Sequence, residues 1–255
     1  MPHYLDIAKA VALEAGGLMT NAFGIGVPHA YKDDYTPVSE VDTQVNALVI
    51  TRLSEAFPEH CLLGEEGSCT KESEYTWVFD PIDGTAPYVR GIPTNVFSLG
   101  LVKNGVPVLG VVYDPYMDRL YHAVQGESAF LNGERIHTSA HTELSRTYIE
   151  TDNHRGFKDM TLFQRLLDAD VRFLSYSSTV YSTMLVAAGQ IEGVVYPGTK
   201  PWDAAAAKVI IEEAGGVVTD KEGNEQRYDG PINGFIAACT RDYHDKLRAV
   251  VGPSL

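Results

Sequence analysis

Asp80 and Asp83 stand three residues apart, after the apolar run Trp77-Val78-Phe79, and Gly84 and Thr85 follow at once. Two acids just past a strand end suggest a site for a hard divalent cation. Mg²⁺ takes oxygen ligands and usually only one or two protein carboxylates per ion. Gly84 lets the backbone turn tightly where a side chain would clash. Thr85 adds a hydroxyl and an amide at what reads as a helix start, where anions bind well. Cation, phosphate and hydroxyl in one turn describe metal-assisted hydrolysis of a phosphate ester. Asp, Pro and Gly are also common turn residues, so this run alone could simply close a strand. Two further segments favour chemistry. Gly64-Glu65-Glu66 puts paired acids after Leu62-Leu63, and Pro201-Trp202-Asp203 puts an acid at the mouth of an alanine-rich helix.

Periodicity predicts the elements that must position these acids. Leu5, Ala8, Ala12, Ala15 and Met19 recur at helical steps and predict a helix over 3–22. Val41, Val45, Leu48, Val49, Leu53 and Phe57 predict a second over 39–57, with Ser39 as its cap and Asp42 in its first turn. Short β-rich runs follow at 76–79, 95–103, 106–114, 119–124 and 128–131, with a hairpin at Asn104-Gly105. Together they predict an antiparallel sheet packed by the two N-terminal helices. Beyond about residue 140 the pattern alternates. Strands are expected at 146–150, 171–174, 193–196, 216–219 and 234–239, and helices at 158–169, 179–189, 202–214 and 241–250. Gly215-Gly216 reads as the C-cap of the third of these helices. Such alternation argues α/β layering. The fold class is α/β: an α+β lobe over 1–138, holding most of the acids, and an α/β lobe over 139–255 that contributes Asp203.

The chain has 255 residues, 44% of them hydrophobic, which is enough for a sizeable core as one large domain or two abutting lobes. Its net charge of −14 excludes a basic stripe for a nucleic-acid partner. Small phosphates are not excluded, because bound cations can supply local positive charge. Cys61, Cys69 and Cys239 form neither a disulfide framework nor a zinc motif. Cys61 and Cys239 read as buried thiols, and the default compartment is a reducing cytoplasm. No signal-peptide pattern or membrane-spanning apolar run is present, so no membrane partner is expected. The histidines, His29, His137, His141, His154 and His244 among them, show no metal-binding spacing, and most are expected at the surface.

Gly64-Glu65-Glu66, Asp80-Pro81-Ile82-Asp83-Gly84-Thr85 and Trp202-Asp203 stand in the order and spacing of the inositol monophosphatase family. The chain resembles these Mg²⁺-dependent, often lithium-sensitive phosphatases from its first helix to Gly234-Phe235-Ile236-Ala237-Ala238. The resemblance implies a layered αβαβα sandwich, a homodimer and a small phosphate ester as substrate. It implies two or three Mg²⁺ ions. Glu65, Asp80 and the Ile82 carbonyl would hold one, Asp80, Asp83 and Asp203 a second, and a third site would share Glu65. Thr85 and Glu65 would orient an attacking water, with Asp83 also in the catalytic set and no phosphoenzyme formed. The amides of Gly84 and Thr85 would hold phosphate oxygens. If these acids meet, each close pair repels by about 4 kcal/mol at about 4 Å and an effective dielectric of about 20. Cations would relieve that repulsion.

The resemblance also implies substrate contacts from Ser177, Ser178 and Thr179, and from Tyr196 at the place where inositol-specific relatives carry a Glu. That replacement argues against inositol phosphate as the preferred ester. Lys200 either meets a second anionic group or faces solvent. Asp42 and Glu66 correspond to acids near the metals, and Lys32 to a lysine in the loop before the second helix. Inositol monophosphate, histidinol phosphate, a sugar bisphosphate and a nucleotide phosphate remain open as substrates. Two other readings are a non-catalytic metal-binding module, against which the complete acid set argues, and a structural dimer whose acidity serves only solubility.

Overall fold

The computed structural model describes residues 1–33, 35–68, 71–151 and 161–252. Cys69, His154 and residues 158–160 of the expected helix lie outside them. Five layers stack in the order helices, sheet, helices, sheet, helices. The outer layer is α1 (Pro2–Ala22) and α2 (Glu40–Ala56). They cover a seven-stranded sheet ordered β3 (Cys61–Gly64), β4 (Tyr75–Asp83), β5 (Val96–Lys103), β6 (Val106–Asp114), β7 (Arg119–Val124), β8 (Ala129–Leu131) and β9 (Glu134–Arg135). Only the β3–β4 pair in it is parallel. The central helices are α5 (Thr179–Ala187) and α6 (Pro201–Glu213). A five-stranded mixed sheet follows, ordered β11 (Val171–Leu174), β10 (Thr147–Thr151), β12 (Gly193–Tyr196), β14 (Phe235–Ala238) and β13 (Val217–Thr219). α4 (Thr161–Asp168) and α7 (Arg241–Val251) close its far face.

A two-stranded hairpin, β1 (His29–Tyr31) with β2 (Pro37–Ser39), leads into α2. The single helical turn α3 (Thr85–Tyr88) follows β4. The expected helix start at Thr85 is present: Gly84, with a left-handed φ of 90°, is the N-cap, and the helix runs for one turn. The Asn104-Gly105 turn has φ of 52° and 89°, the positive pair that a two-residue hairpin requires. α6 ends as expected. Gly215 is left-handed, its N–H bonds to Glu212 O, and Gly216 N–H bonds to Ile211 O, a Schellman closure.

Two hydrophobic clusters dominate the core, one on each face of the seven-stranded sheet. Trp77, Phe79, Phe97, Leu99 and Leu101 pack against α1 and α2. On the other face Val78, Val96, Val102 and Val112 pack against the alanines and isoleucines of α6. Paired Gly100 and Gly110 set how closely α6 approaches. A Cβ on Gly110 would lie 2.4 Å from the Ala206 carbonyl oxygen, and one on Gly100 2.9 Å from Ala206 N. Ala204–Ala207 are all buried at this contact, which fixes the start of α6 above β5. One expectation fails, and one histidine departs from the expected surface majority. Cys61 is half-buried, on the edge strand β3. His244 is fully buried, its Nε2 2.9 Å from Thr219 Oγ1, because α7 turns that face onto the second sheet. Among the described residues no helix is long and apolar enough to cross a membrane.

Candidate active site

The D-x-x-D run does not follow a strand end. It lies inside β4, which continues to Asp83. Residues three apart on a regular strand face opposite sides. Here Asp80 pairs with Ser98 and Asp83 with Val96, so β4 carries one extra residue against β5. That bulge turns both acids to the same side. Pro81 is tolerated there because a bulge interrupts the ladder. Asp80 Oδ1 accepts the Ile82 N–H at 2.9 Å and pins the local turn.

Asp203 reaches the same point from the third residue of α6. Its Oδ2 accepts Lys200 N at 2.9 Å and Thr199 Oγ1 at 2.9 Å, which fixes the carboxylate at the helix mouth. One carboxylate oxygen from each of Asp80, Asp83 and Asp203 lies within 4.8 Å of the others. Asp80 and Asp83 are 2% and 5% exposed. Burial, then the charges of Glu65, Asp83 and Asp203, pushes the Asp80 carboxyl well above its ordinary range. Burial raises Asp83 to about 6, even though hydrogen bonds from Ser178, Val180 and Tyr181 oppose the rise. Burial and the Asp83 charge raise Asp203 to about 7. Two buried carboxylates and the half-buried Asp203 so close together, without a compensating base among them, fit a hard divalent cation by donor type and separation.

Parallel pairing of β3 with β4 brings the acidic pair alongside. Glu65 N donates to Phe79 O at 3.3 Å, one residue before Asp80. Glu65 stands outside the tight triad because its side chain is held by Lys32, at 2.7 Å. Lys32 also pairs with Glu66. Burial costs this ammonium, but hydrogen bonds from it to both acids outweigh the cost and raise its pKa. Burial raises Glu66 despite Lys32.

Asp42 touches the site directly. Thr85 Oγ1 lies 3.1 Å from Asp42 Oδ1 and 3.1 Å from the Ile82 carbonyl. The other Asp42 oxygen accepts Ser39 N at 2.8 Å and Ser39 Oγ at 2.6 Å, the N-terminal capping contact of α2. Burial raises the Asp42 carboxyl.

Lys32, Glu65, Asp80, Asp83, Thr85 and Asp203 line one cleft of about 760 Å³, and Asp42 stands behind Thr85. Gly84, Ser177, Ser178, Thr179, Tyr196, Lys200 and Trp202 complete its walls. Ser178 and the first amides of α5 are turned onto Asp83, with Val180 N at 2.8 Å from Oδ2 and Thr179 N at 3.2 Å from Oδ1. Tyr196 is 3% exposed at the end of β12. Lys200 is exposed at the rim, and Glu66 joins the site only through Lys32. Sequence reasoning missed Glu150, Thr151 and Ser175, which also line the cleft. Glu150 is 2% exposed and accepts Ser182 Oγ and Tyr176 N, the latter at 3.1 Å. A lone acid in a β-rich run carries no local signal of this placement.

With this geometry in view, the family comparison is decisive: the model of the inositol monophosphatase family matches residues 2–253. The chain belongs to the inositol monophosphatase family. It is 33% identical over 241 residues to inositol monophosphatase 2 of Solanum lycopersicum, covering 88% of this chain and 90% of that protein. It is 34% identical over 227 residues to the fructose-1,6-bisphosphatase/inositol-1-monophosphatase of Aquifex aeolicus, covering 85% of each. The solved structure of an IMPase from Thermotoga maritima superposes with a TM-score of 0.89 at 30% identity, covering 99% of this chain and 98% of that one. Membership makes this chain a phosphatase of the inositol monophosphatase fold, in a metal-dependent family, and its acidic triad is a group that could hold a metal ion.

Proposed function

We propose that this chain is a Mg²⁺-dependent phosphomonoesterase that hydrolyses a small phosphorylated metabolite by direct attack of water. The observation that carries this reading is the meeting of Asp80, Asp83 and Asp203 oxygens within 4.8 Å, beside Thr85 hydrogen-bonded to Asp42. Asp80, Asp83, Asp203, Glu65 and the Ile82 carbonyl would hold two or three Mg²⁺ ions. Bound there, the ions supply positive charge to the phosphate and to its leaving oxygen.

The chain's own groups do the remaining work. Thr85 Oγ1 can donate to Asp42 Oδ1 or to the Ile82 carbonyl, each at 3.1 Å, and can accept a hydrogen bond from water. In the attack the water's proton would pass to Thr85 as the Thr85 hydroxyl proton passes to Asp42, which ends protonated. Glu65 aligns that water. Asp42 is fixed by Ser39, which fixes the carboxylate that Thr85 faces. The Gly84 and Thr85 amides receive phosphate oxygens. The alcohol part of the ester lies toward Ser177, Thr179, Tyr196 and Lys200. Tyr196, standing where inositol-specific relatives have a carboxylate, favours an ester other than a bare polyol phosphate. The lobes 1–138 and 139–255 meet at this cleft. A homodimer, lithium sensitivity and a cytoplasmic location complete the reading.

The test is phosphate release from inositol 1-phosphate, histidinol phosphate, fructose 1,6-bisphosphate, adenosine 3′,5′-bisphosphate and NADP⁺, with Mg²⁺ and with chelator. The reading expects Mg²⁺-dependent release from at least one, abolished in Asp83→Asn. No release from any of them by Mg²⁺-loaded protein contradicts it.

A further inference from the structure

Asp83 reaches from the seven-stranded sheet to the first turn of α5. Its Oδ2 accepts the Ser178 hydroxyl and the Val180 N–H at 2.8 Å, with Tyr181 N at 3.4 Å. Among the described residues, its Oδ1 accepts only the Thr179 N–H, at 3.2 Å. Ser178 is the N-cap of α5 and is 4% exposed. Its oxygen accepts Tyr181 N at 3.3 Å, the ordinary capping bond, while its proton goes to Asp83. The one proton of this hydroxyl and one of its two lone pairs are therefore used inside the fold, so it has no proton to donate to a substrate.

Two backbone features serve this contact. Ser177 takes a left-handed φ of 57°, which aims Ser178 at β4. Gly84 has no side chain where a Cβ would come within 2.9 Å of Ser178 Cβ. A carboxylate offers about four lone-pair sites, two on each oxygen. At Asp83 the α5 contacts fill Oδ2 and leave capacity on Oδ1.

We propose that Ser178 is a positioning residue for Asp83 and not a hydrogen-bond donor to substrate: with the first amides of α5 it fixes the Asp83 carboxylate so that Oδ1 is the oxygen offered to a cation. This rests on reading the acidic cleft as a cation site. It adds that the site is built jointly by β4 and by a helix nearly a hundred residues away. The packing of α5 on the sheet and the affinity for the ion then depend on the same hydrogen bonds. Partners that orient metal ligands typically affect affinity tenfold to a hundredfold when removed.

The experiment is calorimetric titration of the full chain with Mg²⁺, for wild type, Ser178→Ala and Ser178→Thr, with kcat and KM measured at saturating Mg²⁺. The expected result is a loss of Mg²⁺ affinity of about tenfold or more in Ser178→Ala, with KM changed by less than about threefold, and recovery of affinity in Ser178→Thr, which restores the hydroxyl. Unchanged Mg²⁺ affinity in Ser178→Ala, or a change confined to KM, overturns the proposal. Should Ser178→Ala fail to fold, amide exchange decides. In Asp83→Asn the Thr179, Val180 and Tyr181 amides should exchange at least about tenfold faster while Ser182–Ala187 stay protected. Equal protection of those three amides overturns it as well. Absence of Mg²⁺ binding by wild type would remove the cation-site reading and this inference together. Equal affinities in wild type and Ser178→Ala would remove this inference alone.

Discussion

Replacing Asp203 by Asn should stabilise the protein when no divalent cation is present. Asp203 shares its position with Asp80 and Asp83, all three offering oxygens within 4.8 Å of one another. At that separation, and an effective dielectric of about 20, each fully ionised pair repels by about 3.5 kcal/mol. Two fully ionised pairs involving Asp203 at that separation together repel by about 7 kcal/mol. The folded chain avoids part of this by holding protons. Its Asp203 carboxyl is raised from 3.8 to about 7, by burial and by the Asp83 charge. At about 1.4 kcal/mol per pH unit that displacement corresponds to about 4 kcal/mol. The sign follows from proton counting. Between pH 4 and 7 the folded state binds more protons than the unfolded one, so metal-free stability falls as pH rises through this window. Asn keeps a carbonyl oxygen for Lys200 N and Thr199 Oγ1, so the start of α6 is preserved. In chelator at pH 8 we expect Asp203→Asn to be more stable than wild type by about 2–4 kcal/mol, or roughly 4–16 °C in melting temperature. The gain should shrink toward zero at pH 5. Urea and thermal unfolding at both pH values, with chelator and with Mg²⁺, measure it. Mg²⁺ should raise the wild-type melting temperature and leave the variant little changed. A variant less stable than wild type in chelator at pH 8 would refute the reasoning.

Thr85→Val removes the hydroxyl between Asp42 and the Ile82 carbonyl. Turnover should fall by about 10²–10⁴-fold with Mg²⁺ affinity held within about threefold, as steady-state kinetics and calorimetry would show. Gly110→Ala places a Cβ 2.4 Å from the Ala206 carbonyl and must push α6 off the sheet. We expect a loss of about 1–3 kcal/mol by urea unfolding, with weaker Mg²⁺ binding because Asp203 moves with the helix. Lys32→Met leaves Glu65 and Glu66 without their shared ammonium. Metal-free stability should drop by about 1 kcal/mol for these partly exposed groups, and Mg²⁺ should erase the difference in parallel melts.

The layers were legible because their signals are local. The three-to-four-residue spacing in α1 and α2, the Asn-Gly turn and the Gly215-Gly216 closure each act within a few residues. The acids were legible as a set through motif order. Their arrangement was not. Reading Asp80 and Asp83 as lying past a strand end missed that a bulge inside β4 is what brings acids three apart to one side. Contacts that depend on the assembled layers left no trace in sequence. The Gly100–Gly110 seat for α6, the burial of Glu150 and the bonds from α5 to Asp83 join segments far apart in the chain. Lys32 was evenly balanced between site and solvent because its partners lie more than thirty residues away. The burial of His244, among histidines expected mostly at the surface, was not legible because a histidine in a charged helix gives no sign of which face turns inward.

The central claim is that the Asp80–Asp83–Asp203 cluster holds the cations that make this cleft a phosphatase. The most direct measurement follows Mg²⁺ occupancy and phosphate release on the same preparation, for wild type and Asp83→Asn. The account predicts that release rises in step with occupancy in wild type, and that the variant loses both tight binding and turnover. Equal phosphate release in chelator and in Mg²⁺, or full turnover by Asp83→Asn, would contradict it.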